Sequence, residues 1–118
     1  SREITNTSCK REINPEGNHD FMVAGEIKKM FVGPNKDMEM FVIPLQFDDG
    51  YGEQAMLKRM MGPFLRSMGA VETEKNNFDW DTAEFEGKRF TAIVTHKTDK
   101  GGKIRSHMDV LVPEEIPL

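Results

Sequence analysis

Hydrophobic side chains recur at every second position through much of this chain, the period of half-buried strands. Phe90, Ala92 and Val94 alternate with Thr91, Ile93 and Thr95. A basic glycine turn follows, Asp99-Lys100-Gly101-Gly102-Lys103. On the return, Met108, Val110 and Val112 share one phase while Arg105, His107 and Asp109 take the other. The stretch from Gly87 to Val112 therefore reads as a hairpin with one apolar face and one polar, locally basic face. Upstream, Phe21 to Val32 has strand character, with Phe21, Val23, Ile27 and Phe31 in phase. Gly33-Pro34-Asn35-Lys36-Asp37 is a turn by composition. Met38 to Phe47 resumes the alternation, with Phe41, Ile43, Leu45 and Phe47 on the core phase. Pro44 cannot donate to a ladder, so a sheet edge or a bulge is expected there.

The middle of the chain departs from that period. Tyr51 to Met61 fits either a third strand or the start of a helix. Leu57, Met60, Met61, Phe64, Leu65 and Met68 repeat at helical spacing, but Gly62-Pro63 interrupts them. The pattern predicts a short third strand, then a helix from Pro63 to Met68 stopped by Gly69. Val71 to Glu86 lacks periodicity and is expected to be loop. Two strands, a third, a helix, a loop and two more strands fit a mainly β chain. The expected fold is a five-stranded Greek-key OB-fold barrel with one short helix between strands three and four. An α+β roll with a similar hairpin pair fits the same periodicity. Residues 1–17 are expected to form a flexible N-terminal arm, 18–113 the domain, and 114–118 an acidic tip.

A chain of 118 residues is the size of a single domain, and 37% apolar with 31% charged residues is a soluble, globular composition. No apolar run approaches the ~20 residues of a membrane span. The first twenty residues contain no apolar block, so no secretory signal is expected. Cys9 is the single cysteine, which excludes an intrachain disulfide and fits a reducing, cytoplasmic setting. The net charge of −4 argues against a strongly basic nucleic-acid binder, yet the charge is segregated. Val71 to Glu86 holds Glu72, Glu74, Asp79, Asp81, Glu84 and Glu86 against Lys75 alone. Gly87 to His107 holds Lys88, Arg89, Lys97, Lys100, Lys103 and Arg105 against Asp99 alone.

Catalytic chemistry is not legible. The Asp99–Lys103 turn is not a phosphate-binding loop, no Gly-x-Ser-x-Gly elbow occurs, and His19, His96 and His107 lack zinc-site spacing. No enzyme, metal or cofactor is expected. Binding of single strands needs cations for phosphates and rings for bases. The candidate cations are Lys28, Lys29 and Lys36 on the first hairpin, and Arg89, Lys97, Lys103 and Arg105 on the last, with His107 on the same polar face. The candidate rings are Phe31, Tyr51 and Trp80, although Trp80, between Asp79 and Asp81, would repel phosphate and suits instead a plug at the barrel end. The nine methionines are core filler or an adaptable contact surface.

From Phe21 to Pro113 the chain resembles a family of phage-encoded single-stranded-DNA-binding proteins with an OB fold. The resemblance is carried by Pro15-Glu16-Gly17 before the opening strand, by Gly62-Pro63-Phe64-Leu65-Arg66-Ser67-Met68-Gly69, and by Glu86-Gly87-Lys88-Arg89-Phe90 at the end of the loop. It implies sequence-tolerant binding of single-stranded DNA in phage replication or recombination, in the cytoplasm of a bacterial host. The tip Glu114-Glu115-Ile116-Pro117-Leu118 is similar to the acidic Asp-Asp-Asp-Ile-Pro-Phe ending of bacterial single-stranded-DNA-binding proteins, with Leu118 in place of Phe. That similarity implies docking to replication or recombination proteins through a terminal carboxylate and an apolar anchor. A homodimer and no membrane are expected. The alternative is a non-catalytic protein-interaction or regulatory OB module with a Met-rich face, and a carbohydrate-binding module is a third reading.

Overall fold

The computed structural model describes residues 9–10, 13–47, 50–75 and 77–112. The chain is mainly β, with strands β1 (Cys9–Lys10), β2 (Gly17–Val23), β3 (Lys28–Val32), β4 (Met38–Phe47), β5 (Gly50–Leu57), β6 (Val71–Glu74), β7 (Asn77–Asp79), β8 (Arg89–Thr98) and β9 (Ile104–Val110). A 3-10 turn, Lys58–Met60, leads into helix α1, Gly62–Met68. The main sheet runs β1-β5-β4-β2-β8-β9, with β3 also on β4, and β6-β7 form a separate hairpin. All its pairings are antiparallel except β1 with β5.

The alternation read from the sequence sets the inner face. Phe41, Ile43, Leu45 and Phe47 of β4 are buried with Phe21 and Val23 of β2 and with Phe90, Ala92 and Val94 of β8. Phe21 stacks on Phe90 at 5.6 Å between ring centroids and meets Phe47 edge-on at 5.4 Å. Helix α1 covers this face with Phe64, Leu65 and Met68, and Phe64 sits edge-on to Phe90 at 5.3 Å. The helix is short for local reasons. Pro63 pre-sets its first turn, and Gly69 leaves it in the left-handed region at φ 84°, where the Gly69 and Ala70 amides bond the Arg66 and Leu65 carbonyls.

Pro44 lies inside the sheet, not at its edge. Residues 38–42 of β4 pair with β3 and residues 45–46 with β2, on the same edge. The Pro44 carbonyl accepts the Ala24 amide across that edge at 2.8 Å. A strand residue directs its N–H and C=O to one side, so the missing donor falls where β4 changes partner and no ladder bond is lost.

Four expectations need correction. The five-stranded barrel is a sheet of seven strands plus a separate two-stranded hairpin, and no backbone ladder joins β5 to β9 among the described residues. Phe21 to Val32 is two strands, because the chain leaves β2 at Ala24 to bond Pro44 and Ile27 is tied to the Thr82 carbonyl. The acidic connection is not all loop: Val71–Glu74 and Asn77–Asp79 form β6 and β7. Part of the expected arm is built into the fold, since the backbone of Cys9–Lys10 pairs with β5 and Asn14 is buried. The tip at 114–118 lies outside the described residues.

Where β5 faces β9, side chains do the joining. The Gln54 amide nitrogen donates to the Ser106 carbonyl at 3.3 Å and to the Ala55 carbonyl at 3.2 Å. Its oxygen accepts from Ser106 Oγ at 2.9 Å and from Asn14 Nδ2 at 2.8 Å. Asn14 also donates to the Glu53 carbonyl at 3.2 Å, and its own carbonyl accepts from His96 Nε2 at 2.7 Å. Asn14 and Gln54 are 1% and 5% exposed, so each unmade bond at this seam would cost the full desolvation of a buried polar group. Replacing Gln54 with Ala is expected to lower the unfolding free energy by about 2–3 kcal/mol. Urea denaturation measures it, and an unmoved midpoint would show the seam to be dispensable.

Candidate nucleic-acid interface

The outward phase of β5, β8 and β9 carries several of the expected binding residues. Arg89, Met22, Gln46 and Tyr51 lie in one row across β8, β2, β4 and β5. At about 4.8 Å per strand, Arg89 and Tyr51 stand roughly 14 Å apart along the sheet. Lys97 and Arg105 are directly opposite one another on β8 and β9, and Thr95 is opposite His107. Lys103 closes the β8–β9 turn with Lys100. His107 Nε2 is 3.3 Å from Asp109 Oδ1 on the same face.

Like charges placed directly across a ladder repel. The Lys97–Arg105 pair is relieved on one side only. Asp99 Oδ2 accepts from Arg105 Nε at 2.7 Å, and Asp99 Oδ1 accepts the Gly101 and Lys103 amides, each at 2.9 Å. One carboxylate thus builds the turn and orients Arg105, whose terminal nitrogens remain outside that bond. Lys97, Lys100 and Lys103 have no carboxylate within 4.0 Å among the described residues. The hairpin tip is a cluster of cations partly held apart by its own turn.

The other expected residues fall elsewhere. Arg89 opens β8, eight residues from Lys97, or roughly 26 Å along the strand. Lys28 and Lys29 are on opposite faces of β3. Lys28 pairs with Val42 outside, whereas Lys29 shares the inner phase with Phe41 and reaches Glu39 at 3.6 Å. Phe31, on the core phase, is 52% exposed because β3 runs beyond β2 and α1, and the Lys29 ammonium lies 5.4 Å from its ring. Lys36 sits at the β3–β4 turn with φ 53°. By register this turn and the β8–β9 turn are at opposite ends of the sheet. The expected cations therefore form two end clusters and an isolated Arg89, not one patch.

Sequence reasoning missed a second set of residues. A cleft of about 400 Å³ opens beneath the β3–β4 hairpin, on the side away from the outer row, and Lys58 and Arg59 stand on its rim with Lys29. Trp80, set aside for its acidic neighbours, forms part of its wall with Phe41 and Phe78. Adjacent Lys58-Arg59 ahead of Gly62-Pro63 was the available signal, but it fell in the block whose period was ambiguous. Among the described residues no group of His, Cys, Asp and Glu side chains could hold a metal ion, and no helix is long and apolar enough to cross a membrane.

No protein-family model matches the chain, and no curated protein matches it.

The bond from Arg105, the largest influence, and then those from the Lys103 and Gly101 amides hold the Asp99 carboxyl below the usual aspartate range. A depressed carboxyl stabilises the turn above its unfolded-state value, and that contribution is lost as pH falls through the folded value. The Gly101 and Lys103 amide resonances are expected to shift together in acid, with a midpoint below that of an unstructured aspartate. A midpoint at or above the unstructured value would show that Asp99 does not organise the hairpin.

Proposed function

We propose that this chain is a sequence-tolerant, non-catalytic single-stranded-DNA-binding domain of OB type, working in phage-type replication or recombination as the family it resembles does. The carrying observation is the charge arrangement along β8. The acidic connection enters at its Arg89 end, while Lys97, Lys100, Lys103 and Arg105 crowd its far end, roughly 30 Å away, with Asp99 among them and Glu16 bonded to the neighbouring His96 amide. A phosphate backbone laid across the hairpin tip would relieve the Lys97–Arg105 repulsion, and the acids of the 71–86 connection lie too far off to oppose it. The strand path β5-β4-β2-β8-β9, with the helix following β5 in the chain, supports the OB reading. In that reading the Gln54 seam stands in for closure. Tyr51, 42% exposed, is the stacking candidate on the outer row, and binding would be passive coating without chemistry.

One observation favours the interaction-module reading. Met30 pairs with Met40, and Val32 with Met38, on the outer face of the β3–β4 hairpin, with Met30 and Met38 45% and 38% exposed. An apolar patch of this kind suits a protein partner or a second copy.

Titration of poly-dT at low salt separates the two. Saturable binding is expected, with log K falling against log salt at a slope of about −2 to −3, or roughly −0.7 for each of three or four phosphates. Lys97→Glu with Lys103→Glu is expected to weaken binding by about tenfold or more while far-ultraviolet circular dichroism is unchanged. Salt-independent or absent binding would leave the Met-rich face as the functional surface.

A further inference from the structure

The cleft beneath the β3–β4 hairpin belongs neither to the outer row nor to the basic hairpin tip. It lies between two overhangs, the β3–β4 hairpin on one side and β7 with the following turn on the other, above the 3-10 turn and the start of α1. Its volume of about 400 Å³ falls within the range of small-ligand sites, and below what an oligonucleotide fills.

Its wall and rim have different chemistry. The wall is aromatic and braced. Trp80 stacks on the fully buried Phe85 at 5.7 Å and 12° between planes, and it leans on Phe41 at 5.2 Å. Phe78 is held beneath the Arg66 guanidinium, 5.5 Å from its ring centroid. The rim is cationic. Glu39 is shared between Lys29 at 3.6 Å and Lys58 at 4.0 Å, and Arg59 has no carboxylate within 4.0 Å among the described residues. Among the side chains that line the cleft, three cations face one carboxylate; the other nearby acids, Glu26 on Thr82 and Asp79 and Asp81 beside Trp80, stand at the wall and not at the Lys58–Arg59 rim.

We propose that this cleft is a second binding site and that it takes a single nucleoside monophosphate unit. The base lies against the Phe41–Phe78–Trp80 wall, and the phosphate is held at Lys58 and Arg59. Glu39 keeps Lys29 and Lys58 in place, and its oxygens can accept from a sugar hydroxyl or a base N–H. An aliphatic acid would use the rim but leave the rings unmatched, and a neutral ring would leave the cations unmatched. A ligand that is planar at one end and anionic at the other uses both. The unit has two possible sources, a free mononucleotide or the 5′-phosphorylated end of a strand. The site shares its ligand class with the hairpin reading but none of its residues.

Trp80 is the only tryptophan, so its fluorescence reports on this cleft. Titration with dTMP is expected to change the emission saturably, with thymidine and deoxyribose 5-phosphate each at least tenfold weaker. Lys58→Ala with Arg59→Ala, both at exposed positions, is expected to weaken dTMP by at least tenfold while poly-dT binding is kept. Lys97→Glu with Lys103→Glu is expected to do the reverse, so failure of one site is distinguishable from failure of the other. A 5′-phosphorylated octathymidylate that outcompetes its 5′-hydroxyl counterpart identifies the strand end as the source; equal competition identifies the free nucleotide. No saturable response to dTMP, an unchanged response in the Lys58/Arg59 variant, or a response only to a Glu-Glu-Ile-Pro-Leu peptide would overturn the proposal.

Discussion

The fold depends on one amide. β5 and β9 come together at the open side of the sheet without a ladder, and Gln54 spans them with both donors and both acceptor positions engaged. A backbone ladder would spread that join over many residues. A side-chain join concentrates it in Gln54, Ser106 and Asn14, drawn from stretches about forty to fifty residues apart in sequence. Each group's hydrogen bonding is completed by the others, so the seam forms only once all three segments have arrived. That ties the N-terminal stretch, the central strands and the last hairpin into one cooperative unit.

Charge is distributed by the same architecture. β8 is long, and its two ends serve different surroundings: the acidic connection feeds one, and the basic turn leaves from the other. A rigid strand is an effective spacer, since at an ionic strength near 0.15 M charges roughly 30 Å apart are screened from each other by several Debye lengths. A chain with a negative total can in this way present a locally positive tip, and the total charge alone is a poor guide to what the tip attracts.

Much of the framework was legible because it rests on period-two alternation. The inward residues of β4, β8 and β9 are the ones the pattern picks out, and Gly69 stops the helix as its position predicts. What escaped was set by tertiary contacts. The break between β2 and β3 is invisible as periodicity, since Phe21, Val23 and Ile27 stay in phase across it and all three are buried. Phe31 obeys the same phase but outruns the layer that would cover it. The seam residues are isolated polar side chains with no local pattern. Trp80 was judged by its neighbours in sequence, Asp79 and Asp81, whereas its environment is Phe41 and Phe85. The basic hairpin was legible as composition, but the cross-strand opposition of Lys97 and Arg105 follows only from register.

Pro44 has an effect beyond permitting β4 to switch neighbours. A strand flanked on both edges can slide by a residue and still find partners, at the cost of turning its faces over. Here sliding would move the one position that cannot donate into a ladder and strand an acceptor on β2 or β3. The imino acid thus acts as a notch in the strand, tolerated at one alignment and penalised at the adjacent ones. The overhanging hairpin, with the cleft beneath it, inherits its placement from that single fixed point.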